Sequence, residues 1–489
     1  MKRIHILFLF CANLIVSCMP DLDLSPLGSQ SVTTYYKTAA DANAAVISLY
    51  GQLRAIYRDE VIVTPNIVSA DDGIPFPTGN ANRIAIWNYN ITTENTFVGQ
   101  IWSNAYTAIQ RSNIVISRVP GTAADENIKR AYLGEAYFLR ALHYFNLVRF
   151  FGGVPVVTGE TTSLDDIEVA RAGVDEVYDL IEADLLEAVN SLPAGYTGQN
   201  VGRATKGAAA GLLAKVYLTR AGNDPGSAYW KKAADRAKEV IDSGLYGLWD
   251  DYSDVFALEN RGGKESLFEI MYLTDVAGNN FSTGYAPRGS PIVPGSGSGI
   301  LRPSKDLFEL YTAGDKRKPA TFLTEYVHPV TGQTVTLSID DPDPARAISF
   351  WKLADQTSVT SGGAGKSFPF LRYSDILLIY AEAVNRSDNG PSQAAYNALN
   401  QVRQRAGLAP LSGLTVEEFN EAVLTERRLE LCFEGHRWFD LVRTGRLVNA
   451  VKTENSFSRN AVIEPFHVLF PIPQREMDAN AQLSQNQGY

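Results

Sequence analysis

The sequence predicts a mainly α-helical protein, a scaffold of antiparallel helix pairs with long, irregular, loop-rich insertions that carry a few short strands. Three observations predict it. Apolar residues recur at spacings of three and four through most of the 489-residue chain. Gly and Pro fall where those periodic stretches stop. Two regions, Asp59–Asn95 and Leu245–Pro369, break the pattern with Pro-, Gly- and Asn-rich tracts.

Taken in order, residues 1–17 stand apart. Lys2 and Arg3 precede an apolar run from Ile4 to Val16, interrupted by His5 and Asn13 and followed by Ser17-Cys18. A charged start, an apolar stretch too short for a bilayer and a small residue before a break make an export signal. Ile15-Val16-Ser17-Cys18 resembles a bacterial lipobox, in which Cys18 becomes the lipidated first residue of the mature chain. A plain secretory leader that happens to contain Cys18 is the alternative. No later stretch holds the roughly 18 apolar residues of a membrane helix, so residues 18–489 are expected to be a single tethered unit.

Within that unit the helical scaffold is expected over about residues 30–58, 100–244 and 371–489, with loop-rich regions over about 59–99 and 245–370. In Lys129–Phe150, Leu133, Tyr137, Ala141, Tyr144 and Val148 form one apolar stripe and Phe138, Leu142 and Phe145 a second. A helix apolar on two sides packs between neighbours. Gly152-Gly153 and Pro155 end it. Val174–Leu192 is amphipathic, and Gly207, Gly211 and Ala214 lay a small-residue stripe along Arg203–Ala221. Trp230, Ala233, Ala237, Val240 and Ile241 mark a further helix that stops at Gly244. Leu371–Arg386, Gln393–Ala406 and Thr415–Phe433 complete the set, the last opening with the capping-box spacing Thr415-x-x-Glu418. The pairs resemble the geometry of tetratricopeptide arrays, without a clean 34-residue repeat.

Charge and cysteine content exclude several functions. The formal net charge is -10 with no Lys/Arg cluster, which disfavours nucleic acid. Cys11 and Cys18 lie in the N-terminal segment and leave Cys432 alone in the body, so neither an intramolecular disulfide framework nor a cysteine-rich metal site can form; Cys432 reads as a small core residue. The five histidines are scattered without metal-ligand spacing, and no nucleophile elbow or phosphate loop occurs. Asp340, Asp341 and Asp343 could hold calcium, but their spacing is not an EF-hand and a solvated acidic turn is the favoured reading. No cofactor is called for. Glu426–Leu441 is dense in charge, with Glu430 and Glu434 one turn apart and Arg427, Arg437 and Asp440 close by. Such a set could be an acid/base site or a buried arginine–carboxylate network. Trp438, Phe439 and Leu441 favour the network.

Several long motifs occur in one order: Tyr132–Phe145 followed by Phe151-Gly152-Gly153-Val154-Pro155, then Leu371–Ala383, then Glu426–Leu441, then Phe470-Pro471-Ile472-Pro473 through to Gln485–Tyr489. Together they resemble the SusD/RagB family of nutrient-binding outer-membrane lipoproteins of Bacteroidetes. The resemblance implies a non-catalytic protein that captures a nutrient, most often an oligosaccharide, and passes it to a SusC-like TonB-dependent transporter. It implies a place at the outer membrane, facing the cell exterior. Capture of peptides is the alternative, and a surface glycoside hydrolase is a weaker one.

Ligand residues are argued locally. A sugar offers a C–H face to aromatic rings and hydroxyls to Asp, Asn or Arg. Asp71, Asp72, Phe76, Arg83, Trp87 and Tyr89 supply that mixture in the first loop region; Tyr285, Arg288 and Trp351 supply it in the second. Asp72 and Phe76, beside Gly73 and Pro75, are expected to be exposed. Trp87-Asn88-Tyr89-Asn90-Ile91 alternates like a short strand, which leaves the Trp87 ring open to either core or ligand. Asp71-Asp72 and Asp340-Asp341 are adjacent acids, poorly placed to flank a glycosidic bond.

Overall fold

In the computed structural model, residues 36–77, 79–163, 168–453 and 462–489 are described, so the leader and Cys18 lie outside the described residues. The apolar spacings build helices α1 (Ala39–Ile56), α2 (Thr64–Ser69), α3 (Ala81–Trp87), α4 (Thr96–Arg118), α5 (Glu126–Phe151), α6 (Val174–Ser191), α7 (Lys206–Ala221), α8 (Tyr229–Asp242), α9 (Tyr373–Ser387), α10 (Gln393–Arg405) and α11 (Val416–Glu430). From α4 to α8 each helix packs on the next in sequence, and α8 then packs on α9, which meets α10 and α11. This is the succession of helix pairs expected of a tetratricopeptide-like scaffold. The stripe Phe138, Leu142 and Phe145 is buried, as are Ala141, Tyr144 and Val148 of the other, whose Leu133 and Tyr137 are half-buried; every residue from Phe138 to Phe151 is buried.

Residues 243–372 leave this scaffold after α8 and return to it at α9, the helix on which α8 packs. Their entry and exit are stapled by an antiparallel pair, β2 (Ser266–Ile270) with the strand Phe368–Arg372. Helix α7 sits on that pair through its small residues. A Cβ at Gly211 would stand 2.7 Å from Leu267 and 3.0 Å from Leu371, so glycine there permits the close approach. Elsewhere the excursion is short strands and turns, and the strand-like run Gln333–Leu337 forms Thr334–Thr336, paired with Glu325–Val327.

The first insertion differs from its sequence reading. Asp59–Asn95 is not mainly loop: it is helical over Asp59–Val63, α2 and α3. Pro65 misled the reading because it occupies the first turn of α2, where no intrahelical bond is lost. Trp87–Ile91 is no strand either. Asn80 caps α3 by accepting from the Asn82 N–H, the helix ends at Trp87, and Tyr89 turns the chain at φ +56°. The two insertions meet through β1 (Gly73–Pro75), antiparallel to Leu301–Pro303, and Ser304 donates its N–H and hydroxyl to the Asp72 and Asp71 carbonyls.

The capping box of α11 is present: the Thr415 hydroxyl accepts from the Glu418 N–H and Glu418 accepts from the Thr415 N–H. Thr415→Ala is expected to cost about 1 kcal/mol in urea unfolding. Glu430, Glu434, Arg427 and Asp440 are all buried and paired, so the charged segment is a network within the core. Cys432 is buried, and its burial pushes the thiol up to about 12. On β2, burial raises Glu269 to about 7, opposed by the Gly262 N–H it accepts and by Arg261. A carboxyl whose folded value is raised contributes stability below about pH 4.5 that is lost as pH rises through 7. Glu269→Gln is therefore expected to leave unfolding at pH 4.5 unchanged and to stabilise the protein at pH 8, by about 3 kcal/mol at most.

Candidate functional site

Helix α3 has two faces, and they meet different surroundings. Arg83, Ile86 and Trp87 are buried. Ala81, Ile84, Ala85 and Asn88 recur at the three-and-four spacing of one helical face and line an open cleft of about 870 Å³. Tyr89, Asn90 and Ile91 continue that wall, and the opposite wall is the C-terminal segment with Val462, Glu464, Phe466, His467, Gly488 and Tyr489. A hydrogen bond from the Val462 N–H to the Asn88 carbonyl joins the two walls.

The cleft holds an aromatic cluster. Phe466 is half-buried, with its ring centroid 4.0 Å from that of His467 and 5.2 Å from that of Tyr489, which meets it edge-on. Tyr89 packs edge-on against His467 at 5.3 Å. Gly488 adopts φ +97°, and a Cβ there would stand 2.5 Å from the Phe466 ring, so the close approach requires glycine. The polar ends of the cluster are spent inside the protein. Tyr489 donates to the Leu469 carbonyl at 2.8 Å and Tyr89 to that of Ser69. His467 Nδ1 accepts the Glu464 N–H at 2.8 Å, and burial holds the ring below its ordinary pKa. What the cleft offers outward is ring surface flanked by Asn88, Asn90 and Glu464. The Asn88 Oδ1 is buried and has no hydrogen-bond partner among the described residues.

Most residues chosen from the sequence are placed elsewhere. Asp72, expected to be exposed, is buried, as is Asp71: Arg437 grips Asp71 with two bonds of 2.8 Å, and Arg428 Nε donates to Asp72 at 2.8 Å. Phe76, also expected to be exposed, is only 4% exposed, with the Arg302 guanidinium 5.4 Å from its ring centroid. The β1 pairing and the two arginines turn this stretch inward. Arg83 is buried and donates to the Ile300 carbonyl at 3.3 Å, and Trp87 is buried on the same face of α3. Tyr285 is 1% exposed and shares a 2.6 Å hydrogen bond with Thr64. The structure thus gathers Asp71, Asp72, Phe76 and Arg83 around the ladder joining the two insertions.

Only Arg288 and Trp351 of the chosen set reach the surface. Arg288 is exposed, its Nε donating to the Ser298 carbonyl at 3.2 Å; Trp351 is half-buried, its N–H bonded to the Thr321 carbonyl at 2.7 Å. Asp340 pairs with Lys305 at 2.8 Å and Asp341 with Arg346 at 2.8 Å. Among the described residues no group of three or more His, Cys, Asp or Glu is arranged to hold a metal. Asn88, Asn90, Glu464, Phe466, His467 and Tyr489 were not singled out by sequence reasoning.

Residues 264–489 match the family model described as the SusD family, and residues 22–218 match one described as starch-binding associating with outer membrane. The chain belongs to the SusD family. It is 29% identical to a SusD-like protein of Formosa agariphila over 99% of both chains. A solved SusD superfamily protein of Parabacteroides distasonis is 29% identical and superposes with a TM-score of 0.83 over 92% of this chain and 99% of its own. A solved laminarin-binding SusD-like protein is 27% identical, with a TM-score of 0.78 over 93% of this chain and all of its own. For a SusD-family protein the arrangement above is apt: an open cleft with ring surface and amides suits carbohydrate, and an association with the outer membrane goes with the second matching model. Among the described residues no helix is long and apolar enough to cross a membrane.

Proposed function

We propose that this SusD-family protein captures an oligosaccharide in the cleft between α3 and the C-terminal segment and delivers it, unchanged, to a SusC-like TonB-dependent transporter. Lipidation at Cys18 would hold the protein to the outer membrane, facing the cell exterior. The observation that carries the reading is the cleft itself. The ring of Phe466, backed by His467 and Tyr489, offers a platform for the C–H face of a sugar, while Asn88, Asn90 and Glu464 stand beside it for hydroxyls. The laminarin-binding name of one neighbour supports the same class of ligand.

Hydrolysis of a glycosidic bond uses two carboxyl groups, one on each side of the bond. Among the described residues lining the cleft there is one carboxyl side chain, Glu464, and the adjacent pair Asp71-Asp72 is occupied by Arg428 and Arg437. Capture and hand-over ask less of the site. A ligand held at the mouth of a transporter has a high effective concentration, so modest affinity suffices. The test is calorimetric titration of residues 19–489 with neutral and acidic oligosaccharides and with mixed peptides, each mixture checked afterwards for breakdown. Saturable sugar binding without breakdown is expected; a response to peptides alone, or any turnover, would sink the reading.

A further inference from the structure

The charge of the cleft selects among glycans, a point that rests on the capture reading just given. Polysaccharides divide into neutral chains and chains bearing uronate or sulfate, and the two need opposite environments. A carboxylate or sulfate taken out of water needs a cation or converging N–H donors. Among the described residues lining the cleft, Glu464 supplies the only ionisable acidic side chain, and no Lys or Arg is present.

Two groups could act as hidden cations, and neither does. His467 Nδ1 accepts the Glu464 backbone N–H, which an imidazolium could not do, so the ring is neutral where it meets the cleft. Arg83 lies behind Gly79 on the wall, but it is buried and its Nη1 is turned to the Ile300 carbonyl. Three backbone N–H groups of this wall are also engaged: that of Asn88 goes to Ile84, that of Tyr89 to Ile86 and that of Asn90 to Ala85. Among the described residues, what the cleft's side chains offer a ligand is ring surface, neutral amides and the Glu464 carboxylate. We infer that the cleft takes an uncharged oligosaccharide, using Glu464 as an acceptor for sugar hydroxyls, and rejects uronate-bearing and sulfated chains.

The experiment titrates the protein with neutral β-1,3-glucan, β-1,4-glucan and α-1,4-glucan oligosaccharides, and with oligogalacturonate and sulfated galactan oligosaccharides of similar length. Neutral binding should be saturable, indifferent to added salt and weakened roughly thirtyfold in Phe466→Ala, with the acidic chains weaker by roughly 10- to 1,000-fold. Glu464→Lys should then raise affinity for the acidic chains. Because Glu464 also caps the turn Pro465–Val468, Glu464→Gln, which removes the charge and keeps an acceptor, is the second variant; it should narrow the same discrimination. Acidic chains that bind as tightly as neutral ones and lose binding in Phe466→Ala would overturn this inference and leave capture standing. Silence towards every glycan would instead sink the capture reading. Glycan binding untouched by Phe466→Ala would move the site and overturn the inference with it.

Discussion

Arg372→Ala is expected to destabilise the protein by about 3–5 kcal/mol. Arg372 stands at the end of the strand that staples the long insertion, and it is 2% exposed. Its Nε donates to Glu434 at 2.8 Å, its Nη1 to Glu265 at 2.7 Å and to Glu430 at 2.9 Å, and its Nη2 to the Glu430 carbonyl at 3.0 Å. Alanine would leave these carboxylates buried beside a cavity, with Lys352, Arg317 and Arg405 as their remaining cations. That residual pairing places the effect nearer the lower end of the range. Urea unfolding at pH 7 measures it. The exposed pair Arg346–Asp341 is the control, and Arg346→Ala should cost about 0–1 kcal/mol. A loss of that small size for Arg372→Ala would show that the network does not hold the staple.

The network also fixes the acid limb of stability. Burial alone would raise Glu430, but Arg405, Arg372 and Arg317 outweigh it and hold the carboxyl well below its ordinary value. A depressed carboxyl contributes stability that is complete above about pH 4.5 and is lost as pH falls through the folded value. The difference between the parent and Arg372→Ala should therefore shrink on acidification.

Phe466→Ala is the second large effect, and it falls on binding. Removing the ring takes away the platform between His467 and Tyr489, which is expected to cost about 2 kcal/mol, roughly thirtyfold in Kd. Phe466 is half-buried at the cleft edge, so stability should change less than affinity. Phe76→Ala makes the contrast. Phe76 is a buried ring under Arg302, and its loss should lower stability without a specific effect on affinity. If the two variants exchanged these outcomes, the ligand would lie at the first insertion as the sequence suggested.

The scaffold was legible because its signals are local. Lys129–Phe150 became Glu126–Phe151, and Thr415-x-x-Glu418 became a capping box, since spacing and caps act within one or two turns. The site was not legible because its determinants are distant in sequence. Asp72 looks exposed beside Gly73 and Pro75, and its partner Arg428 is 356 residues away. The cleft joins residues 79–91 to residues 462–489, and no periodicity links them. Aromatic residues near Gly and Pro carry the same signature whether they face a ligand or a core. Phe76, Trp87 and Tyr89 are buried, Tyr89 in the wall of the cleft, while Phe466 and Tyr489 are half-buried along it.

A crystal structure of the protein with a tightly bound neutral oligosaccharide tests the central claim most directly. Sugar density stacked on Phe466, with hydroxyls reaching Asn88, Asn90 or Glu464, is the expected result. Sugar found instead at Arg288 and Trp351, with the cleft between α3 and the C-terminal segment filled only by solvent, would contradict it.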